Sequence, residues 1–163
     1  STFLRGDNSW AAAGGDNTPN FQVYVGTHQS LTDATWTKIA FDTEILDADS
    51  VFDSSTNYRF TAPSAGTYML WTNCVIGSNG SAYTYNTQLQ FYKNGSPMGD
   101  SYQNKEVPGN GSSTATEYLS STLTSIFSLS TSDYIEVWTY IDTSNDAPRV
   151  WAAYSMFAGL KLL

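Results

Sequence analysis

The chain holds one histidine and one cysteine, and these two residues limit the chemistry that it can carry out. A Ser-His-acid or Cys-His mechanism would have to use His28, which lies in the loop-like stretch GTHQS. Cys74 lies in the apolar run YMLWTNCVI, where a small buried hydrophobic residue is expected rather than a nucleophile. The sequence also lacks a Gly-x-Ser-x-Gly elbow and a nitrogen and sulfur ligand set for a transition metal. We therefore predict that the protein is not an enzyme.

The densest group of charges is acidic and lies between residues 42 and 53. Oxygen ligands at this spacing could hold calcium, although the run lacks the Gly and the bidentate Glu of an EF-hand loop. A solvated loop explains the same pattern. We predict that the protein requires no cofactor. Calcium is the one metal ion that this acidic run is a candidate to bind. The acidic residues are Asp42, Glu44, Asp47, Asp49 and Asp53.

Several tyrosines lie in or beside polar, turn-rich segments and are candidates for ligand-binding loops. They are Tyr83, Tyr85 and Tyr102. Exposed aromatic rings framed by Asn and Ser are typical of glycan or protein recognition. Ordinary packing along strand edges would also explain them. Residues 5–7 spell the integrin-type tripeptide Arg-Gly-Asp, which is short enough to arise by chance.

Composition restricts the class of protein. A length of 163 residues suits one domain with a hydrophobic core, and 40% apolar and 15% aromatic residues exclude a disordered chain. The net charge is −8, and the seven basic residues are scattered, so a nucleic-acid partner is not expected. No apolar run is long enough to cross a bilayer, and we predict no membrane insertion.

Hydrophobic periodicity indicates an all-β domain. Helical spacing is nearly absent, while short β-branched and aromatic runs recur between Gly, Asn, Ser, Asp and Pro residues, as in a sandwich or barrel. Residues 1–20 are expected to form a flexible lead-in from an upstream part, and 21–163 a single domain. Strands are predicted near 21–26, 36–41, 57–61, 67–76, 86–93, 98–106, 115–129, 134–141 and 150–162.

Asn-Gly pairs mark the expected hairpin turns, since both residues tolerate positive φ. They occur at Asn79-Gly80, Asn94-Gly95 and Asn110-Gly111. Because a Ser follows each pair, each also spells a glycosylation acceptor, although the turn chemistry alone explains it.

The distribution of apolar residues over the two faces of each predicted strand indicates whether the chain needs a partner. Strands 86–92 and 119–129 alternate between apolar and polar residues. In strand 134–141, Glu136 indicates that one side faces solvent. Strands 67–76 and 150–162 are instead apolar on both faces. In 150–162 the two faces are Trp151, Ala153, Ser155, Phe157, Gly159 and Lys161 against Val150, Ala152, Tyr154, Met156, Ala158, Leu160 and Leu162. An identical neighbour would cover the second face, which predicts an obligate homo-oligomer; a thick local core or a barrel interior would cover it as well.

Four stretches, taken in order, resemble the C1q/TNF-like family. FTAPSAGTYMLW (60–71) is similar to the family's Phe-x-x-Pro-x-x-Gly-x-Tyr turn and the apolar strand after it. WTKIAFDTEILDADSVFD and LQFYKNG are similar to its apolar-Phe strand with a Phe-Asp pair and to its strand ending in Lys-Asn-Gly. The tail LSTSDYIEVWTYI…YSMFAGLKLL is similar to its last two strands, and Ser155, Phe157 and Gly159 carry the final match. Ser132-Asp133 stands where the family often has Gly-Asp.

The resemblance implies an antiparallel two-sheet jelly-roll sandwich that forms a homotrimer, with the terminal strand near the threefold axis. Together with the two-faced strands, it places the trimer interface or core at a set of apolar residues. They are Tyr68, Leu70, Tyr154, Met156, Phe157, Leu160 and Leu162.

The AAAGGDN lead-in and the Ser-, Thr- and Asn-rich composition are similar to C1q-like domains of bacteriophages and bacteria. This resemblance implies a non-enzymatic head domain on a virion or fibre tip, which recognises a host cell-surface glycan or protein or decorates the particle beside other virion components. The alternative is a secreted or cell-surface C1q-like module that binds carbohydrate or protein. The expected location is therefore the virion or the extracellular space.

Overall fold

The computed structural model describes residues 2–4, 10–12, 17–78, 83–106, 118–144 and 147–162, and regular structure there is β-strand. No helix able to span a lipid bilayer occurs among these residues. The strands are β1 Thr2–Leu4, β2 Trp10–Ala12, β3 Asn20–Tyr24, β4 Gln29–Ser30, β5 Thr37–Lys38, β6 Thr43–Leu46, β7 Phe52–Asp53, β8 Arg59–Thr61, β9 Gly66–Gly77, β10 Thr84–Lys93, β11 Ser96–Glu106, β12 Tyr118–Leu129, β13 Tyr134–Thr143, β14 Arg149–Val150 and β15 Met156–Lys161.

Two antiparallel sheets form the domain, as the alternating strands predicted. The six-stranded sheet has the order β11-β10-β13-β8-β7, with β5 also paired to β13. The seven-stranded sheet has the order β4-β14-β9-β15-β3-β6, with β12 along the other edge of β9. β1 and β2 pair with each other in a separate two-stranded sheet within the lead-in. The division of the chain at residue 20 stays a prediction.

The core between the sheets is built around Phe157 of β15, whose side chain is fully buried. Its ring contacts Phe21 at 5.0 Å and Phe41 at 5.7 Å between centroids. It also contacts Phe52 at 5.9 Å and Phe91 at 5.8 Å. Phe91 belongs to β10 of the six-stranded sheet, so this cluster of rings joins the two layers.

The long strands were all predicted, whereas several short ones were missed. Each predicted segment contains a strand, and Asn94-Gly95 forms the hairpin turn between β10 and β11 with φ values of 52° and 79°. The strands that were not predicted are β1, β2, β4, β6 and β7. Asn79-Gly80 and Asn110-Gly111 lie outside the described residues.

The prediction of one unbroken strand over 150–162 was wrong. Ala153 has a φ of 63°, in a turn that separates β14 from β15. Trp151 donates its N–H to the Val75 carbonyl at 2.9 Å, and the Val75 N–H donates to Ser155 Oγ at 3.0 Å. The intervening turn shifts the alternation of inward- and outward-facing side chains by one residue. Val150 is therefore buried on the same side as Phe157.

The Ser-x-Phe-x-Gly pattern has a physical reason at each position. Ser155 holds β9 across the turn, and Phe157 lies at the centre of the core. Gly159 of β15 lies between Leu70 of β9 and Phe21 of β3 in the same sheet, and a Cβ there would collide with Leu70 Cδ2 and lie 2.9 Å from Phe21 Cε1. The tight packing at this point therefore requires a glycine.

We expect Gly159→Ala to lower the free energy of unfolding by about 1–3 kcal/mol, because Leu70 and Phe21 must move to admit the methyl group. Gly99→Ala is the matched control, since a Cβ at Gly99 of β11 has no atom within 4 Å. Urea unfolding at one fixed protein concentration measures both. Equal effects of the two substitutions would contradict this account of Gly159.

One edge of the seven-stranded sheet is the twelve-residue strand β12, which pairs with β9 without a register shift from Tyr118↔Gly77 to Leu129↔Gly66. Two lysines of the other sheet donate to carbonyl groups of this strand. Lys105 Nζ lies 3.0 Å from the Ser120 carbonyl oxygen, and Lys93 Nζ lies 3.4 Å from that of Ser128. The edge is therefore partly capped by side chains.

The turn before β13 is fixed by the carboxylate of Asp133. Its Oδ2 forms an ion pair with Lys93 Nζ at 2.8 Å and accepts the Ser130 N–H at 2.8 Å. Its Oδ1 accepts a hydrogen bond from Asn94 Nδ2 at 2.7 Å. The bonds from Lys93, Asn94 and Ser130 lower the pKa of Asp133 to about 2. This carboxylate therefore ties the β10–β11 hairpin to the β12–β13 turn.

We expect Asp133→Asn to lower the melting temperature at neutral pH, because the charged form of Asp133 is the one stabilised by folding. The lowered pKa means that this stabilisation is complete above the ordinary value of 3.8 and is lost as pH falls towards about 2. The gap between wild type and variant should therefore close over that range in thermal unfolding. Asp49→Asn is the control, since Asp49 is exposed and makes no hydrogen bond within the described residues. A gap that stays constant with pH would contradict the assignment.

Candidate functional surfaces

The outward side of the seven-stranded sheet is the first candidate surface, and we call it the apolar face. Trp71 of β9 lies at its centre, opposite Thr124 of β12 on one side and Ala158 of β15 on the other. Ala158 in turn pairs with Gln22 of β3, and Gln22 with Leu46 of β6. This order of strands places the β9 and β15 residues that were predicted to need cover in one continuous patch.

The apolar face has no formal charge at the outward positions of β3, β9, β12 and β15. These positions are Asn20, Gln22 and Tyr24 on β3; Thr67, Met69, Trp71, Asn73 and Val75 on β9; Tyr118, Ser120, Thr122, Thr124, Ile126 and Ser128 on β12; and Met156, Ala158 and Leu160 on β15. Ile126 is 63% exposed and Leu46 at the rim is 45% exposed. A large neutral surface on a chain of net charge −8 is typical of a contact site.

A shallow cavity of about 280 Å³ opens on the apolar face. Its walls include Trp71, Leu46 and Leu160, with Asn20 and Gln22 at its polar side. The face is therefore concave at this point rather than flat, and an apolar side chain from a partner would fill it.

The central polar residue of the apolar face already has its hydrogen bonds within the chain. Asn73 Oδ1 accepts from Ser120 Oγ at 3.1 Å and from Thr122 Oγ1 at 3.0 Å. Its Nδ2 donates to the Tyr154 carbonyl at 3.2 Å. These bonds occupy the amide oxygen and one of the two amide N–H groups, which lowers the cost of burying the face.

The residues predicted for the trimer interface or core fall into two groups. Tyr68, Leu70 and Phe157 are completely buried between the sheets, so they pack in the core of the single chain and cannot contact another subunit. Met156 and Leu160 point outward on β15, and Leu162 follows the end of that strand. Tyr154 is 66% exposed, in the turn before β15 rather than in the strand.

The candidate chemical groups are occupied by structural contacts. His28 is exposed, its Nδ1 accepts the Ala152 N–H at 2.9 Å, and its ring packs edge-on against Trp151 at 5.0 Å. Thus one imidazole nitrogen holds the turn after β14, and among the described residues no Ser, Cys, Asp or Glu side chain shares a hydrogen bond with His28.

The acidic run forms turns. Asp47 accepts the N–H groups of Val51 and Phe52, both at 2.9 Å. Asp53 accepts the Thr56 N–H at 2.9 Å and a bond from Asn57, which hold its pKa well below the ordinary value. No group of three or more His, Cys, Asp or Glu side chains within the described ranges could hold a metal ion. Calcium binding by this run stays a prediction.

Cys74 is completely buried in β9, beside Thr72 Oγ1 at 3.3 Å. Burial disfavours the thiolate and raises the pKa of the thiol to about 12. An inaccessible thiol in its neutral form has no role as a nucleophile.

We expect the native protein not to react with a thiol-specific reagent such as DTNB at pH 8, because Cys74 is both covered and protonated. The denatured chain should release one equivalent of chromophore, which serves as the positive control. Rapid labelling of the folded protein would contradict the burial of Cys74.

The tyrosines predicted for binding loops lie at different places. Tyr83 is 38% exposed and Tyr85 47% exposed, at the start of β10 beside residues 79–82, which are not described. Tyr102 is 43% exposed in β11 and pairs with Gln90. Tyr85 and Tyr102 are therefore strand residues rather than loop residues, and a role of the three tyrosines in ligand binding stays a prediction.

Sequence reasoning missed an aromatic cluster on the outward side of the six-stranded sheet. Glu136, which was expected to mark that side as wet, is only 6% exposed. Tyr92 of β10 lies opposite Glu136, Trp138 donates its Nε1–H to it, and Trp36 contacts both Tyr92 and Tyr140. The alternation of Trp138 and Tyr140 with inward-facing residues was the available signal.

Comparison with known proteins defines the fold. The globular domain of zebrafish complement 1qA protein matches 90% of this chain and 98% of its own, with 13% identity and a TM-score of 0.62. Murine APRIL, from a crystal structure at pH 5.0, matches 88% of this chain and 98% of its own, with 13% identity and a TM-score of 0.61. No family model and no curated protein sequence matches the chain. The chain therefore has the C1q/TNF-like jelly-roll fold that the sequence resemblance implied.

Proposed function

We propose that this chain is a non-enzymatic binding module that assembles as a homotrimer through the apolar face. The single observation that carries the proposal is the neutral, partly concave patch around Trp71, which the described residues of one subunit leave uncovered. The number three is taken from the C1q/TNF-like resemblance of the sequence.

A second copy of the same chain is the occupant that the charges favour. The outward positions of β3, β9, β12 and β15 carry no formal charge. Two copies can therefore approach there without the repulsion that a net charge of −8 causes elsewhere. Asn73 makes three hydrogen bonds within the chain, and apart from the amides of Asn20 and Gln22 the other outward residues are hydroxyl-bearing or apolar. Such a surface buries well against an identical neighbour.

A binding role fits the chemistry better than catalysis does. The thiol of Cys74 is buried and protonated, and His28 uses Nδ1 to hold a backbone amide. Threefold repetition of a weak site would raise the overall affinity through avidity. The acidic chain disfavours nucleic acid as the ligand, and a host-surface or other extracellular glycan or protein is the proposed partner.

We place this module outside the cell, as a head domain on a virion or fibre that recognises a host surface or decorates the particle. This placement is supported by the resemblance of the lead-in and the polar composition to C1q-like domains of bacteriophages and bacteria. The alternative is a secreted or cell-surface module. Fibre or capsid sequence upstream of residue 1 would support the first, and a secretory signal the second.

We expect the wild-type chain to sediment as a trimer and Trp71→Asp to sediment as a monomer, because a carboxylate at the centre of the apolar face would be buried without a partner. Ser96→Asp is the matched control: it adds the same charge at the exposed start of β11 in the other sheet and should leave the trimer intact. Sedimentation velocity measures all three proteins. A wild-type chain that is folded and monomeric at micromolar concentration would contradict the proposal.

A further inference from the structure

The outward side of the six-stranded sheet carries a second surface, which we call the aromatic platform: Trp36, Tyr92, Tyr102, Trp138 and Tyr140. An antiparallel sheet with one wet side is expected to place polar residues there. The platform instead has four half-buried aromatic rings, and Tyr102 beside them is 43% exposed. It belongs to the opposite sheet from the apolar face, so trimer assembly through that face leaves it uncovered.

Four of the rings form a continuous chain. Trp138 stacks on Tyr92 with centroids 4.7 Å apart, Tyr92 lies 6.4 Å from Trp36, and Trp36 lies 5.8 Å from Tyr140. Tyr102 continues the surface across β10, because Gln90 pairs with Tyr102 on one side and with Trp138 on the other. The platform therefore extends over β5, β13, β10 and β11.

A partly buried ion pair holds the rings of the platform in place. Glu136 Oε1 lies 3.1 Å from Lys38 Nζ, and Oε2 accepts the Trp138 Nε1–H at 3.2 Å. Both carboxylate oxygens are thus used within the sheet, and the two charges cancel. Rings that are held in this way lose little conformational freedom when a ligand binds.

Polar groups lie between the rings and are available to a ligand. The Gln88 amide, which pairs across the sheet with Tyr140, makes no side-chain hydrogen bond to any described residue. Gln90 donates Nε2 to the Met98 carbonyl at 3.1 Å, which leaves its Oε1 as an acceptor. The Tyr102 and Tyr140 hydroxyls are likewise without a partner in the described ranges.

We propose that the aromatic platform binds a neutral glycan. Sugar rings combine apolar C–H faces with hydroxyl groups that both donate and accept, which matches aromatic rings interleaved with amides and phenols. The charge argues for a neutral sugar, because the platform's ion pair is internally balanced, while Glu106 and Asp142 flank Asn86 at one end and the chain carries −8. The inference rests on the proposed binding function and names its ligand class and site.

The test is calorimetric titration of the native protein with four neutral hexasaccharides: cellohexaose, xylohexaose, mannohexaose and maltohexaose. We expect at least one to bind, with an affinity that changes little between low and moderate salt. Trp36→Ala and Tyr140→Ala should each weaken it by about tenfold or more through loss of ring contact. Tyr58→Ala is the matched control, a half-buried tyrosine between β7 and β8 and outside the platform, and should stay within about twofold of wild type.

Trp36→Phe replaces the alanine variant if that variant fails to fold, because it retains an aromatic ring. It should bind the sugar with an affinity between those of wild type and Trp36→Ala. The inference is overturned if none of the four sugars binds, which is the result expected of a platform that docks a protein. It is also overturned if Tyr58→Ala abolishes binding while the platform variants do not, or if a sulfated hexasaccharide binds more tightly than the neutral ones. A trimer that binds no sugar refutes only this inference, whereas a monomer that binds one refutes only the trimer.

Discussion

The contact of β15 with β9 and β3 is the constraint on which the rest of the structure depends. Gly159 leaves room for the side chains of Leu70 and Phe21 on the two neighbouring strands, and two residues earlier Phe157 enters the space between the sheets. Because Phe157 touches rings from both layers, the position of this strand sets the separation of the sheets. The same strand presents Met156, Ala158 and Leu160 outward, so the packing of the core also builds the apolar face.

The sequence was sufficient to predict the long strands, because a period-two pattern repeated over many residues is a strong signal. β10 and β12 follow from it directly, and the ordered motifs led to the correct fold. β4 and β7 are two residues long and contain too few positions for a period to show. Ala153 adopts positive φ without being Gly or Asn, so nothing local predicted the turn that shifts the alternation before β15.

The surfaces were harder to predict than the strands. Apolar residues on both faces of 67–76 predicted the apolar face. Because Leu70 and Trp71 are both apolar, the pattern did not show that Leu70 points inward and Trp71 outward. Glu136 was taken to mark a wet side because a lone carboxylate in an alternating strand usually faces water. Its cover comes from Lys38, almost a hundred positions earlier, and from Tyr92 of the neighbouring strand. Such long-range neighbours depend on topology, which one sequence does not encode locally.

The lysine contacts along β12 have a consequence for association between newly made chains. A newly synthesised subunit has a twelve-residue strand whose backbone is hydrogen-bonded on one side by β9. Left bare, such an edge would recruit strands from other nascent chains into open-ended ribbons. Lys93 and Lys105 occupy carbonyl groups at either end of it, so that association through side chains is favoured over polymerisation through the backbone.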